Sequence, residues 1–251
     1  MIDVNYEKFV AIVKLDRGVS NALNLEMMQA LTKTLDDLRI NSDIRALVLT
    51  SANEKFFSIG FDVPNLFELS KDDFGEFYRA FNQACMALYT LPKPTVVGLT
   101  GHAIAGGCIL SLCCDYRIIG EGRKLMGLNE IKLGVPVPYL ADCILQSIVG
   151  TREARNIVEH GEFYEAEMLL KKGLVDEVAP QMDVLTRTIE KAEILSLMPP
   201  IAYQSIKRNR TEEVEARIRS RWEERQRVFI ELWYSEEARK RLRKAMERFQ
   251  A

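Results

Sequence analysis

Thr95-Val96-Val97-Gly98-Leu99-Thr100-Gly101-His102-Ala103-Ile104-Ala105-Gly106-Gly107-Cys108-Ile109-Leu110-Ser111-Leu112-Cys113-Cys114-Asp115-Tyr116-Arg117-Ile118-Ile119 is the stretch that decides the fold. Its first six residues are largely apolar and β-branched, which predicts a buried strand. A turn follows, and residues 106–114 form a small-and-apolar run long enough for a buried helix. Residues 115–119 return as a strand. The same order of strand, glycine-bearing turn and helix occurs one unit earlier. There, residues 44–49 read as a strand, Phe57-Ser58-Ile59-Gly60-Phe61-Asp62 as the turn, and 72–91 as a helix ended by Pro92 and Pro94. Two such units in succession predict a layered α/β architecture.

Upstream, residues 9–15 read as a strand, closed by Asp16-Arg17-Gly18-Val19-Ser20-Asn21. Met27, Met28, Leu31, Leu35 and Leu38 then recur at helical spacing over 25–38. Downstream, helices are predicted at 136–149, 151–159 and 164–172, with a short strand at 174–178. Beyond Gln181 strand signals vanish, Arg, Glu and Lys dominate, and Pro199-Pro200 makes a break. This places a boundary near residue 195, between a core over 1–195 and a helical region over 196–251 that leans on the core or on a neighbouring subunit.

The 251 residues suffice for one sizeable core, with 47% hydrophobic and 28% charged residues. A net charge of -2 gives no general drive toward nucleic acid or anionic membranes. No apolar run approaches the ~20 residues of a membrane-crossing helix. The first residues resemble neither a signal nor a transit peptide. Five cysteines in apolar surroundings, without a Cys-x-x-Cys pair, suit packed thiols in a reducing compartment, so a cytoplasmic location is expected. With two histidines, neither spaced near a cysteine pair, no metal site is expected.

The two glycine turns suggest chemistry. Glycine lets the backbone bend sharply and lets a ligand approach it. The first N–H groups of a helix have no intrahelical partner and carry partial positive charge. Gly106 and Gly107 open a buried helix, and Phe61 follows Gly60 in a similar bend. If both turns face one cavity, an oxygen there gains two backbone donors. About twenty residues further on, Gly127-Leu128-Asn129-Glu130 brings a single carboxylate. Two donors and one base are what making and holding an enolate requires.

As a set, Asn21-Ala22-Leu23-Asn24, Phe57-Ser58-Ile59-Gly60-Phe61-Asp62, Gly101-His102-Ala103-Ile104-Ala105-Gly106-Gly107-Cys108, Cys114-Asp115-Tyr116-Arg117-Ile118 and Glu130-Ile131-Lys132-Leu133-Gly134 resemble the crotonase, or enoyl-CoA hydratase/isomerase, superfamily. The resemblance covers essentially the whole chain. It implies a spiral of ββα units, a C-terminal helical trimerisation region, a trimer or dimer of trimers, and an acyl-CoA thioester substrate, with CoA as part of the substrate and no separate cofactor. It also implies that the thioester oxygen sits between the N–H groups of Phe61 and Gly106. CoA would lie along the Ser58, Ile59, Gly60 and Asp62 segment and the loop from Arg17 to Ala22, with Gly107 and Ile109 lining the site. Arg17 is a candidate for the CoA phosphates.

Hydratases of this family carry two glutamates. One aligns with Glu130; the position of the other is Ile109 here. An isoleucine makes that wall apolar and keeps water from the intermediate. A lone carboxylate suits moving a proton from C2 to C4 of a 3-enoyl thioester, and the local motifs resemble Δ3,Δ2-enoyl-CoA isomerases most. The Pro-Gly-x-Gly-Gly run of hydratases is replaced by Pro136-Val137-Pro138-Tyr139. The alternatives are a hydratase or another hydrolase or lyase on the same frame and, from a different class, a non-catalytic acyl-CoA binder or an RNA-binding relative. The remaining candidates have bland readings. Asp62 is expected to cap the next helix, His102 to hold backbone, Asp115 to fix the helix-to-strand junction, Cys108 to pack, and Asp142 to be a solvated helix residue. The mixed Arg/Glu stretch from Lys207 to Arg227 is expected to be a solvated or subunit-facing surface.

Overall fold

The computed structural model describes residues 1–250. Strands β1 (Ile2–Glu7) and β2 (Val10–Leu15) form a hairpin, and helix α1 (Leu25–Ile40) follows. Three turns of a spiral come next, each with one long strand, one short strand and a helical segment. They are β3 (Ala46–Ser51), β4 (Phe56–Ser58), α2 (Val63–Phe67) and α3 (Lys71–Tyr89); then β5 (Thr95–Leu99), β6 (His102–Ile104) and α4 (Gly106–Leu112); then β7 (Tyr116–Gly120), β8 (Met126–Gly127), a 3-10 turn (Glu130–Leu133) and α5 (Tyr139–His160). The chain continues through β9 (Phe163–Tyr164), α6 (Ala166–Lys171), β10 (Glu177–Ala179), α7 (Val184–Ser196), α8 (Pro200–Ser220), α9 (Trp222–Trp233) and α10 (Glu236–Gln250).

The five longer strands and the three-residue β10 form one six-stranded sheet in the order β1-β2-β3-β5-β7-β10, parallel except for the β1–β2 edge. The short strands form a second sheet in the order β4-β6-β8-β9. β3 and β5 are buried at every position, as expected of parallel strands covered on both faces. One face of the large sheet packs on α7 through Val10, Ile12, Val48, Val96, Ile118, Val184 and Ala192. The other belongs to the main core, which also takes in Ile218, Phe229, Trp233, Ala238 and Leu242 from α8, α9 and α10. The C-terminal helices therefore share the core of the spiral.

Several sequence expectations need correction. β1 was not anticipated, although Ile2, Val4 and Tyr6 alternate with Asp3, Asn5 and Glu7, as an edge strand with one wet face does. The strand expected at 174–178 lies at Glu177–Ala179, and Tyr164 belongs to a strand instead of opening a helix. The helix expected from 136 starts at Tyr139, since Pro136 and Pro138 hold the preceding chain extended. It runs on to His160, interrupted at Gly150, whose φ of 77° is non-helical. Lys207 is no surface residue: its side chain is 3% exposed and pairs with Asp115 at 2.8 Å.

Candidate active site

The small sheet assembles the site. β4, β6 and β8 run parallel as neighbours, so their C-terminal ends lie side by side. The residues that leave those ends are Ile59-Gly60-Phe61, Ala105-Gly106 and Leu128-Asn129-Glu130. Backbone bonds hold the last two segments in step: Ala103 N–H donates to Leu125 O at 2.9 Å, and Ala105 N–H to Gly127 O at 2.9 Å. Three segments distant in sequence thus meet at one sheet edge because consecutive spiral turns stack.

Gly60 has φ +88°, and a Cβ there would lie 2.9 Å from both Gly106 N and Ile104 O. Only glycine allows this approach, and the approach brings the two turns into contact. A Cβ on Gly106 would lie 3.2 Å from the Phe61 ring and 3.3 Å from Gly60 Cα. Phe61 forms a lone parallel bridge with Leu23 in which Leu23 N–H donates to Gly60 O (2.8 Å) and Asp62 N–H to Leu23 O (2.9 Å). That pattern passes over the Phe61 N–H. Gly106 is the first residue of α4, ahead of the first intrahelical bond, from Ile109 N–H to Ala105 O. Neither amide has an internal acceptor among the described residues. Ala105, the N-cap, is a non-glycine residue at φ 47°, a strained conformation that aims the start of α4.

Glu130 opens the 3-10 turn and is 5% exposed. Its Oε2 has no hydrogen-bond partner, and burial pushes its pKa up to about 7, opposed only by its own backbone N–H. Burial, with the Glu130 charge as a smaller contribution, also pushes up the Tyr78 hydroxyl on α3 and the Cys108 thiol on α4. The carboxylate is therefore a neighbour of both. Ile109 is fully buried one turn into α4, beside an apolar surround.

The flanking loop is built around Asn21, which the sequence reading left without a role. It is fully buried at φ 44°; its Nδ2 donates to Leu15 O, Ser51 Oγ and Phe57 O, and its Oδ1 accepts from Arg17 N–H. Ser58 Oγ donates to Asn21 O at 2.7 Å and accepts from Gly60 N–H at 3.0 Å. The Arg17 guanidinium donates to Ala22 O at 2.7 Å and pairs with Asp62 at 2.7 Å, so it ties this loop to the Phe61 turn; its side chain stays 29% exposed. Asp62 also caps α2 through Asn65 N–H. Ile59 donates its N–H to Ser20 O. Gly107 packs against Ser58, where a Cβ would collide with the backbone.

Of the remaining candidates, Cys108 neighbours Glu130, while His102 and Asp142 are engaged in structural hydrogen bonds. His102 Nδ1 accepts from Leu125 N–H at 2.9 Å, which holds β8 in place. Cys108 is buried, with its thiol well above the usual range and His102 committed elsewhere. Asp142 accepts from Gln146 on its own helix. Phe61 itself is embedded in aromatic rings, 4.8 Å from Phe77 and 4.9 Å from Phe81, with Phe229 and Trp233 of α9 at 6.4 and 6.2 Å. That roof from the C-terminal helices carries no motif and was not anticipated.

Known proteins share this fold and its family. The family described as enoyl-CoA hydratase/isomerase matches residues 5–251. The chain is 34% identical over 176 residues to enoyl-CoA delta isomerase 1, mitochondrial, of Mus musculus, a match that covers 70% of this chain and 61% of that protein, about six-tenths of its length. It is 35% identical over 202 residues to a putative enoyl-CoA hydratase of Thermus thermophilus, covering 79% of each. The crystal structure of human mitochondrial delta3-delta2-enoyl-CoA isomerase superposes with a TM-score of 0.96 at 26% identity, covering 99% of this chain and 98% of that one.

Proposed function

The chain belongs to the enoyl-CoA hydratase/isomerase family, and we propose that within it this protein shifts the double bond of a 3-enoyl-CoA to the 2-position. The observation that carries this reading is the buried carboxylate of Glu130, one oxygen of which has no hydrogen-bond partner, together with a fully buried isoleucine at position 109. In the proposed reaction Glu130 takes a proton from C2. The electron pair moves into the thioester carbonyl, whose oxygen accepts hydrogen bonds from Phe61 N–H and Gly106 N–H. Glu130 then returns the proton to C4 as the pair moves back. One proton leaves and one returns, so the step balances without a redox partner or a second acid.

Electrostatics support the assignment. A carboxylate with a pKa of about 7 is a far stronger base than a solvated one and is still half ionised near neutrality. Two backbone donors fixed before the reaction stabilise developing negative charge without reorganising, and losing one such donor typically costs about 2.7–4 kcal/mol. Hydration, by contrast, requires a water held and activated opposite the proton donor, and a fully buried Ile109 offers nothing to hold it. The same proposal places CoA along Ser58, Ile59, Gly60, Asp62 and the Arg17–Ala22 loop. It includes a trimer or pair of trimers, which suits the exposed apolar Ile194, Leu197, Met198, Ile201 and Ile206 around the α7–α8 junction. Five free, buried cysteines suit a reducing, cytoplasmic setting.

The test supplies 3-hexenoyl-CoA and crotonyl-CoA side by side. Rapid loss of the first to the 2-enoyl product, with no hydration of the second, is expected. Hydroxyacyl-CoA as the main product would overturn the isomerase reading in favour of a hydratase.

A further inference from the structure

A cavity of about 320 Å³ lies between the end of α1, the segment that enters β5, and the α7–α8 junction. It abuts Pro92, Lys93 and Pro94 at the start of β5, whereas the Glu130 site forms beyond the C-terminal ends of β4, β6 and β8. Ile40, Ile44, Pro94, Leu195, Met198 and Ile201 give it an apolar wall. Arg39, Arg45 and Lys93 also line it, and no Asp or Glu does.

Two of the three cations have other contacts. Lys93 Nζ donates to Leu38 O and Asn41 O, both at 2.5 Å, and so caps the end of α1. The Arg39 guanidinium donates to Ala87 O at 3.1 Å and Thr90 O at 3.2 Å, at the end of α3. A helix C-terminus carries only about half a negative charge, so each of these contacts offsets about half of one cation. The Arg45 guanidinium lies 4.6 Å from the ring centroid of Phe9, which fixes its place without using its N–H donors. None of the three pairs with a carboxylate among the described residues. Asp115 accepts from Tyr203 of the lining but is committed to Lys207 and Arg210. Partial burial meanwhile pushes the Lys93 pKa down, the sign of a cation short of compensating charge. The cavity therefore keeps a positive excess beside an apolar wall.

We infer that this cavity is a second ligand site, apart from Glu130, for a medium-chain carboxylate whose head meets Arg45, Lys93 and Arg39 and whose tail covers the apolar wall. A guanidinium fork matches a carboxylate with two parallel hydrogen bonds. The volume falls at the small end of the range for ligand pockets, which suits a molecule of about ten non-hydrogen atoms, such as octanoate. The site does not depend on the isomerase reading.

The test follows carboxyl-labelled octanoate by NMR as it is titrated into the full chain, with excess hexanoyl-CoA present to occupy the Glu130 site. The expected Kd is about 0.1–1 mM. Octanamide, which has the tail without the charge, and acetate, which has the charge without the tail, should each bind at least about tenfold more weakly. Arg45→Gln removes a cation, and Ser42→Glu adds an acid to the lining; both positions are exposed. Each should weaken octanoate about five- to tenfold and leave the melting temperature of the unliganded protein within about 2 °C of wild type. Octanamide binding as well as octanoate, an octanoate affinity unchanged in either variant, or binding seen only when hexanoyl-CoA is omitted would each overturn the site. So would no binding at all, the result expected if a neighbouring subunit fills the cavity. If hexanoyl-CoA itself fails to bind, the acyl-CoA reading falls, and the two variants still decide the cavity.

Discussion

Two carboxylates in this molecule are withdrawn from water and live in opposite worlds. The Asp115 side chain is 4% exposed and Glu130 is 5% exposed. Asp115 accepts from Thr95 N–H (2.9 Å), Thr95 Oγ1 (3.0 Å) and Lys207 Nζ (2.8 Å), and also from Arg210 and Tyr203. Glu130 has an oxygen with no partner. Burial alone would raise both. Lys207 and Arg210 reverse this for Asp115 and carry it below the ordinary carboxylate range, whereas Glu130 is pushed up to about 7. Asp115 joins the starts of β5 and β7 to α8, so its charge is used for assembly. Glu130 joins nothing, and a buried carboxylate left bare is available for proton transfer.

The largest effect is expected at Glu130. Replacing it with Gln keeps its shape and removes its basicity, so turnover of 3-hexenoyl-CoA should fall about 10²–10⁴-fold while affinity for a saturated acyl-CoA changes little. Steady-state kinetics beside a binding titration checks this, and unchanged turnover would remove Glu130 from the mechanism. The wild-type rate should rise with pH through about 7 and level off above it, because only the ionised form accepts a proton. Stability runs the other way. The folded state holds the Glu130 proton more tightly than the unfolded chain, so unfolding free energy falls as pH rises from about 4.5 through 7, by on the order of 3 kcal/mol, and Glu130→Gln abolishes that slope. Asp115 contributes the opposite sign: its stabilisation is present at neutral pH and is lost only in acid, below the ordinary carboxylate range.

Lys207→Met sharpens the contrast. It strips Asp115 of its fully buried partner and should cost about 3 kcal/mol, near the low end for breaking a buried ion pair because Arg210 and Thr95 remain. Denaturant unfolding measures the loss. Below the unfolding transition, turnover should stay within about twofold of wild type, since a twofold change corresponds to only about 0.4 kcal/mol of barrier. A large kinetic defect in the folded variant would mean that this pair acts on the site and not only on assembly.

The same contrast marks what the sequence could reveal. The long strands carry continuous apolar runs and the helices a helical period, so β2, β3, β5, β7, α1 and α3 were legible within a residue or two. So were the glycine turns, because Gly60 and Gly106 answer to local backbone constraints. β4, β6 and β8 are two or three residues each, too short for any period, yet they bring the turns together. Their role followed only from a resemblance, not from pattern. Lys207 was misread because a charge in an Arg- and Glu-rich helix looks solvated; its partner lies 92 residues away. Asn21 looked like turn punctuation, and nothing local announces the bonds it makes to three other segments. The α9 roof was invisible for the same reason: Phe229 and Trp233 acquire meaning only against Tyr78 and Phe74.

The smallest effect, and the most direct way to blur the two carboxylate environments, is Ile109→Glu. The new side chain takes a fully buried position next in sequence to Cys108, a neighbour of Glu130, and two carboxyls in one dry site cannot both ionise freely, so one is held protonated. That supplies the second polar group whose absence disfavours hydration. A slow conversion of crotonyl-CoA to hydroxyacyl-CoA should appear, at least about 10²-fold below the isomerisation rate, because an acid without its own hydrogen-bond setting recovers little of what a positioned one contributes. The pH profile of isomerisation should move upward, since the neighbouring carboxyl disfavours ionisation of Glu130. An unmoved profile with no hydration would mean that residue 109 faces away from the reacting carbons, and the dry-wall account of reaction choice would fail while the roles of Glu130 and the two amides stood.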